Sequence, residues 1–414
     1  MHIVIVGNGI TGVTAARFVR KNSDHRITII SGESDFHYAR TALMYIYMGD
    51  MRYQDTKPYA DDFWASNRIS LVRGHAVSVD APGKAVVLTS GERVGFDRLL
   101  LATGSTPNRF GWEGQHAGGV QGLYGLDDLA QMEESTKGIS DAVVVGGGLI
   151  GVEMAEMLSS RGISVTFLIR EAHYMDYLIG AVESELVEAA IRSHGVNLEL
   201  SAELERIETG SDGRTEAVLL KDGRRIPAEF VGLAVGVRPN ISLAQASGLE
   251  TGRGILVDGS FRTSVDGVFA AGDCAEFRKP RAGRKAVEQL WYTGRSQGRQ
   301  VAAGLIGSPA AYEPPLFFNS AKFFDLEYQT YGMVGPVPED GQDQHVFSDG
   351  HRSVRIVFDA DVGTVVGVSS FGVRLRQNVW SHWIRTEAQV EQVLKDFSRS
   401  LFDPEFSTRL QVAA

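Results

Sequence analysis

Cys274 is the only cysteine in a chain of 414 residues. No internal disulfide can form, and no CxxC or Cys/His cluster with zinc spacing is present. That scarcity fits a reducing compartment. Long apolar runs are also missing, so nothing resembles the roughly 20 apolar residues of a membrane-spanning helix. The opening MHIVIVGNG lacks the basic and apolar regions of a secretory signal, and a core strand is expected from residue 2. The expected location is the cytoplasm. Positive charge is in deficit: 41 Lys and Arg stand against 51 Asp and Glu, for a net charge of −10. Such a chain is a poor match for a nucleic-acid backbone. The hydrophobic fraction of 43% is ordinary for a globular chain, and the length predicts two to three domains.

Glycine is what the sequence has in a telling arrangement. HIVIVGNGITG, residues 2–12, is an apolar strand running into GxGxxG, and AVVVGGGLIG, residues 142–151, repeats that construction. Each is followed by a helical pattern and then a second apolar strand, RITIIS at 26–31 and ISVTFLI at 163–169. The likeness extends to LLLATGSTPN at 99–108 and VGLAVGVRPN at 231–240, which place Gly104 and Gly236 at matching positions. In a strand–GxGxxG–helix unit the first glycine permits the tight turn. The second admits a pyrophosphate against the backbone, and the third lets helix and strand pack closely. The helix N-terminus then offers unpaired N–H groups to the phosphates. Here the glycines are Gly7, Gly9 and Gly12 in one copy and Gly146, Gly148 and Gly151 in the other.

The ordered set GNGITG, LLLATGSTP, GGGLIGVE, VGVRPN and VFAAGDCAE resembles the two-dinucleotide flavoprotein reductases. These include glutathione reductase, rubredoxin and ferredoxin reductases, and the flavin domain of nitrite reductase. The resemblance implies an α/β fold with two Rossmann-like domains, one for FAD and one for NAD(P)H, the second inserted in the first. A C-terminal α+β interface domain completes it. The expected boundaries are 1–113 with 241–313 for FAD, 114–240 for NAD(P), and 314–414 for the interface domain, with Pro314-Pro315 as the break. Gly272 and Asp273 would form the second FAD motif, Asp273 accepting from a ribitol hydroxyl. Thr103 and Gly104 would pass beneath the cofactor. Glu153 would lie near the nicotinamide–flavin contact, its alternative being a solvated first-turn glutamate. Gln289 and Trp291, on an expected helix over 286–298, would face the flavin ring or belong to a core helix. Arg40, in YART, would meet the FAD phosphate or adenosine side.

Three departures from the family pattern matter. The acid that grips the FAD ribose normally follows the second strand directly, where this chain has Ser31. Glu33 is the expected substitute, with Asp35 as its neighbour. In the second unit the corresponding acid is replaced by Ile169, followed by Arg170. An apolar-Arg pair resembles the NADPH-binding pattern of glutathione reductase, yet Glu171 and Asp176 oppose a phosphate, so NADH against NADPH stays open with a lean to NADPH. Finally, the helix that carries a redox cysteine pair in disulfide reductases reads TALMYIYMGDM here, without cysteine.

The function implied is a FAD-dependent NAD(P)H oxidoreductase passing hydride to the flavin and electrons to a redox carrier such as rubredoxin or ferredoxin. The alternatives are an oxidase or quinone and small-molecule reductase, and a redox-sensing protein resembling apoptosis-inducing factor. Lys322 stands as a flavin- or acceptor-side candidate or a strand-edge lysine. The run FRKPRAGRK, 277–285, is a docking cluster or a solvated loop. LFFNSAKFFDLEYQTYG at 316–332 reads as one extended strand segment, and a helix start is expected after Cys274.

Overall fold

The computed structural model describes residues 1–403, so residues 404–414 of the expected interface domain lie outside the described residues. The chain forms two compact units. The first comprises Met1–Asn108, Tyr124–Glu133 and Val237–Pro315; the second comprises Arg109–Leu123, Glu134–Gly236 and Leu316–Ala414.

The first unit is built on a five-stranded parallel sheet. Its strands run in the order Val268–Ala270, Arg98–Leu101, His2–Val6, Arg26–Ser31 and Ile69–Arg73. Parallel sheets are covered on both faces, so their strands read as continuous apolar runs rather than alternating ones. Ile3, Val4, Ile5, Leu99, Leu100 and Leu101 are accordingly all buried. Helix Ile10–Asn22 follows the first glycine loop, and helix Trp291–Leu305 packs against it through glycines. A Cβ on Gly298 would stand 2.4 Å from the Thr11 carbonyl oxygen, and one on Gly294 would stand 2.8 Å from its hydroxyl. Only bare backbone allows that approach.

The second unit repeats the plan. Its parallel sheet runs Val120–Gln121, Phe230–Leu233, Asp141–Val145, Ser164–Leu168 and Asn197–Glu199, the same internal order as the first. Each parallel sheet is accompanied by a three-stranded antiparallel meander, Ala76–Gly95 in one and Leu204–Pro227 in the other. The two Pro-Asn tails join each other: Ser105–Pro107 pairs antiparallel with Val237–Pro239, inside the first unit.

The second unit also holds a five-stranded antiparallel sheet, ordered Phe318–Phe323, Leu326–Tyr331, Val365–Phe371, Ser353–Asp359 and Gln342–Ser348. Residues 316–332 are therefore two strands and not one. The turn is made by Phe324 at a φ of +56° and Asp325. A bulky residue in that region is uncommon, and without Gly or Pro the sequence carries no turn signal.

Two further expectations change. The residues after Cys274 form strand Ala275–Phe277 instead of a helix, because Ile255–Val257 offers that backbone a parallel partner. Helix Trp291–Leu305 starts only at Trp291; Leu290 is extended, so Gln289 precedes the helix.

Candidate functional site

The glycine loops show what each glycine does. At Gly7, with a φ of +112°, a Cβ would sit 2.1 Å from the Ala102 carbonyl oxygen. At Gly12 it would sit 2.0 Å from the carbonyl oxygen of Gly7. Gly146 and Gly151 repeat this, with Cβ positions 2.5 Å from the Ala234 oxygen and 2.1 Å from the Gly146 oxygen. The middle glycines differ. A Cβ on Gly9 or Gly148 would meet nothing within 4 Å. Gly9 and Gly148 are also the N-caps of their helices, and no side chain caps either one or places an acid in its first turn. Both helix N-termini therefore look onto open space, as an anion cradle requires.

Around the first loop, residues distant in sequence form one connected network. Arg40 makes two bonds to the Glu33 carboxylate, NH1 to Oε1 at 3.0 Å and NH2 to Oε2 at 2.6 Å. Tyr38 donates its hydroxyl to Glu33, and the Leu126 amide donates at 3.0 Å. Burial works to raise the Glu33 carboxyl, but Arg40, Tyr38 and the Leu126 amide outweigh it, and the net direction is down. Arg40 also donates to the Tyr124 carbonyl at 2.6 Å and lies 4.5 Å over the Tyr124 ring. Asp35, the alternative acid, is instead exposed, 3.7 Å from Arg73. Asn8, between the glycines, donates to the Ser34 carbonyl and hydroxyl oxygens at 3.0 Å and so pins the neighbouring loop.

The second edge of this site centres on Asp273. Ser105 donates its hydroxyl to Asp273 at 3.0 Å, and Gln289 donates to Ser105 at 2.7 Å. The Tyr124 hydroxyl accepts from the Ser105 amide at 2.8 Å. Burial raises the Asp273 carboxyl, with the Ser105 bond opposing it. Burial, then the Asp273 charge, pushes the Tyr124 hydroxyl up to about 12. Gly272 is held by the buried Gln297, which accepts from its amide at 2.7 Å. Thr103 donates to the Asn240 carbonyl at 2.6 Å, and the Asn240 amide returns a bond to Gly104 at 2.9 Å. Asp273, Ser105 and Gln289 thus meet, and Arg40 with Glu33 joins them through Tyr124. Trp291 is half-buried at the start of its helix, with Arg295 5.7 Å over its ring.

In the second unit, Glu153 lies half-buried in the helix that follows the second loop. Burial, and secondarily the charge of Glu156, push it up to about 7. Glu156 is itself buried and accepts from Lys322 at 3.3 Å. The Tyr174 hydroxyl, fully buried, approaches the Gly148 carbonyl at 3.4 Å.

Residues 1–298 match the family described as pyridine nucleotide-disulphide oxidoreductase. The chain belongs to that family. It is 30% identical over 331 residues to the rubredoxin-NAD(+) reductase of Pseudomonas putida, covering 79% of this chain and 86% of that protein. It is 31% identical over 309 residues to the ferredoxin–NAD(+) reductase component of the biphenyl dioxygenase system of Paraburkholderia xenovorans, covering 74% and 75%. Among solved structures, the ferredoxin reductase for the CYP199A2 system from Rhodopseudomonas palustris has the same fold. The TM-score is 0.81 at 23% identity, with 100% of this chain and 98% of that one covered.

The single thiol of this family member is Cys274. Cys274 is fully buried, its Sγ 3.4 Å from the Ala271 carbonyl oxygen, and burial pushes its pKa up. With a strand where a helix start was expected, no helix dipole acts to lower it. Just after strand Ser164–Leu168, Ile169 is buried, while Arg170 is 77% exposed and bonded to Glu171 at 2.7 Å.

Sequence reasoning missed Tyr124, Ser105, Tyr38, Asn8 and Gln297. Ser105 sits next to the quoted Thr103-Gly104 pair, so a signal existed for it. Tyr124 carries none, since it enters the site only through the chain's return to the first unit.

Proposed function

We propose that the chain is a FAD-dependent NAD(P)H oxidoreductase that delivers electrons to a small redox carrier protein of the rubredoxin or ferredoxin type, working in the cytoplasm. The observation that carries the reading is the pair of open glycine cradles, each at an uncapped helix N-terminus. The relatives' names, rubredoxin-NAD(+) reductase and ferredoxin–NAD(+) reductase, supply the acceptor class, with NAD(P)H as the electron source. The first cradle and its network fit FAD: Gly7, Gly9 and Gly12 admit the pyrophosphate, and the Glu33–Arg40 pair offers a carboxylate to ribose hydroxyls and a guanidinium to phosphate. Asp273, steadied by Ser105, accepts from the ribitol chain. Thr103 and Gly104 would pass beneath the cofactor, and Gln289 and Trp291 would face its ring. FAD supplies a ring that takes hydride from NAD(P)H and passes electrons on one or two at a time.

The second cradle, Gly146, Gly148 and Gly151, admits NAD(P)H, with Gly236 at the matching tail. Glu153 faces the nicotinamide and Lys322 steadies its neighbour Glu156. Arg170 reads the coenzyme's 2′ position. Because Glu171 already holds that guanidinium, discrimination between NADPH and NADH is weak, with kcat/KM values within about tenfold. The domains divide as 1–113 with 241–313, 114–240, and 314–414.

Anaerobic titration of the purified protein with NADH and NADPH tests the reading, followed by reoxidation with rubredoxin, a [2Fe–2S] ferredoxin, oxygen and a neutral quinone. Bleaching of a yellow protein and fastest reoxidation by an iron–sulfur carrier are expected. A colourless protein that takes up no FAD sinks the reading. Fast reoxidation by oxygen or quinone alone assigns an oxidase or quinone reductase. A long-lived reduced complex assigns a sensor.

A further inference from the structure

The run FRKPRAGRK, residues 277–285, leaves strand Ala275–Phe277 and folds back on it. The Phe277 amide donates to the Ala286 carbonyl at 2.9 Å, the Arg278 amide to the Val257 carbonyl at 2.9 Å, and the Arg284 amide to the Arg281 carbonyl at 3.0 Å. Gly283 makes the bend at a φ of +71°. The loop is thus fastened by its main chain, and its charged side chains are left for other partners.

Lys279, Arg281, Arg284 and Lys285 line one cavity of about 50 Å³, and Glu288 is the single acid beside them. Arg284 already engages Glu288 at 2.5 Å, both side chains being largely out of water. Arg281 donates its Nε to the Tyr312 carbonyl at 3.2 Å, a bond that leaves the terminal N–H groups of the guanidinium for another acceptor. Among the described residues, Lys279, Arg281 and Lys285 have no carboxylate partner. Four cations against one carboxylate make an excess of three positive charges, in a chain whose net charge is −10. Elsewhere on this protein exposed arginines mostly meet an acid, as Arg68 meets Asp24 and Arg225 meets Glu208.

The cavity also has an aromatic wall. Phe277 and Tyr312 line it, both buried, and their rings stack with centroids 5.4 Å apart and planes 5° from parallel. Phe261 packs against both, at 5.4 and 5.3 Å, and the Tyr312 amide donates to the Gly259 carbonyl at 2.7 Å. A rigid apolar wall lowers the local dielectric, so charges beside it attract and repel more strongly than in open water. The cations around the cavity repel one another, and an anion placed between them relieves that repulsion. The space suits about four waters, or one tetrahedral oxyanion. A phosphate group answers it well. It is compact, it brings up to two negative charges to an excess of three positive ones, and it accepts from guanidinium and ammonium groups together.

We propose that this cavity is an anion site for a phosphate group, either the free ion or the end of a small monoester. Lys279, Arg281 and Lys285 meet its oxygens, and the Arg284–Glu288 pair braces the wall. None of the lining residues belongs to either glycine loop, so the site is separate from both dinucleotide cradles. It is independent of which acceptor the flavin reduces.

The test titrates the FAD-loaded protein with inorganic phosphate and with glycerol 3-phosphate, against chloride of matched ionic strength, by calorimetry and by thermal unfolding. Expected for the wild type is a Kd of about 1 mM or tighter and a Tm higher by about 2 °C at 20 mM than in chloride. Lys279→Ala/Lys285→Ala and Arg281→Gln should each bind about tenfold more weakly, with flavin absorbance and the chloride Tm unchanged. Equal binding of the ester and the free ion assigns a phosphate monoester; binding of the free ion alone assigns orthophosphate. Wild-type affinity in both variants overturns the proposal, as does a response no larger than that to chloride. Binding that saturating NAD(+) abolishes also overturns it, because the anion then sits in the second glycine cradle.

Discussion

Ser105 donates its hydroxyl to the Asp273 carboxylate at 3.0 Å, joining residues 168 positions apart. Gln289 holds Ser105 from the other side at 2.7 Å, so the serine acts as a hinge pin between a strap and a motif. Burial raises Asp273, and the serine bond is the first of the interactions that favour its charged form. Ser105→Ala removes that donor and leaves a buried carboxylate less well satisfied. The expected result is intact folding with FAD affinity lower by about tenfold, the scale of one hydrogen bond to a charged group. Flavin absorbance relative to protein absorbance after dialysis measures it. Full flavin retention would show that Asp273 needs no support from Ser105.

The glycines separate folding from binding. Gly9→Ala adds a Cβ into empty space at a φ of −68°, an angle alanine adopts readily. Gly12→Ala drives a Cβ to 2.0 Å from the Gly7 carbonyl oxygen. The first variant should fold with a melting temperature within a few degrees of the apoprotein and lose flavin. The second should express poorly or unfold early. Gly148→Ala should keep its flavin and raise KM for NAD(P)H. If Gly9→Ala holds flavin as tightly as the wild type, the space before that helix is not the pyrophosphate cradle.

The doubled plan was legible because both signals are local. A strand buried on both faces must be continuously apolar, and a GxGxxG turn must supply glycine where backbone meets backbone. The ends of the two repeats were legible as copies, although their pairing, Ser105–Pro107 on Val237–Pro239, was not. What escaped were features decided by partners far along the chain. Strand Ala275–Phe277 forms because Ile255–Val257 lies beside it, and nothing within AEF announces this. The hairpin at Phe324 forms because the flanking strands pair, which forces a bulky residue into a positive φ. Tyr124 reaches Ser105 and Arg40 by tertiary return alone. Charge pairing escaped for the same reason: within FRKPRAGRK, Arg278 and Arg284 are engaged by Glu250 and Glu288, while Lys21 and Arg299 are remote in sequence and share one hollow.

Glu183 and Arg355 form a buried ion pair in the second unit, Oε1 to Nε at 2.8 Å, with side-chain exposures of 1% and 3%. Glu183 also accepts from the Gly180 amide at 2.6 Å and from the Ser369 hydroxyl, while Arg355 donates to the Gly335 carbonyl at 2.6 Å. It fastens the start of helix Ala181–Ser193 to the antiparallel sheet. Glu183→Gln leaves a buried guanidinium without its counter-charge and should cost about 3–5 kcal/mol in urea unfolding. Glu183→Leu with Arg355→Met removes both charges and should recover most of that loss. A single variant as stable as the wild type would mean that water reaches Arg355.

Glu153 gives a pH dependence whose sign follows from its surroundings. Burial and the Glu156 charge hold its carboxyl at about 7, above the ordinary glutamate range. The nicotinamide gains positive charge as hydride leaves, so an ionised Glu153, were it placed beside the ring as proposed, would favour the transition state. Flavin reduction by NAD(P)H should therefore rise with pH through about 7, while Glu153→Gln should be slow and flat over the same range. Stability runs the other way. The folded state keeps a proton that the unfolded chain releases near 4.5, so stability is lost as pH rises from there to about 7. Glu153→Gln should remove that loss and be more stable than the wild type at pH 8 by on the order of 1–3 kcal/mol. Single-turnover stopped flow and urea unfolding across the same pH series read both effects on the same protein. An inflection near 7 that survives in Glu153→Gln would place the titrating group elsewhere, and a variant less stable than the wild type at pH 8 would mean that the carboxylate is paired rather than merely buried.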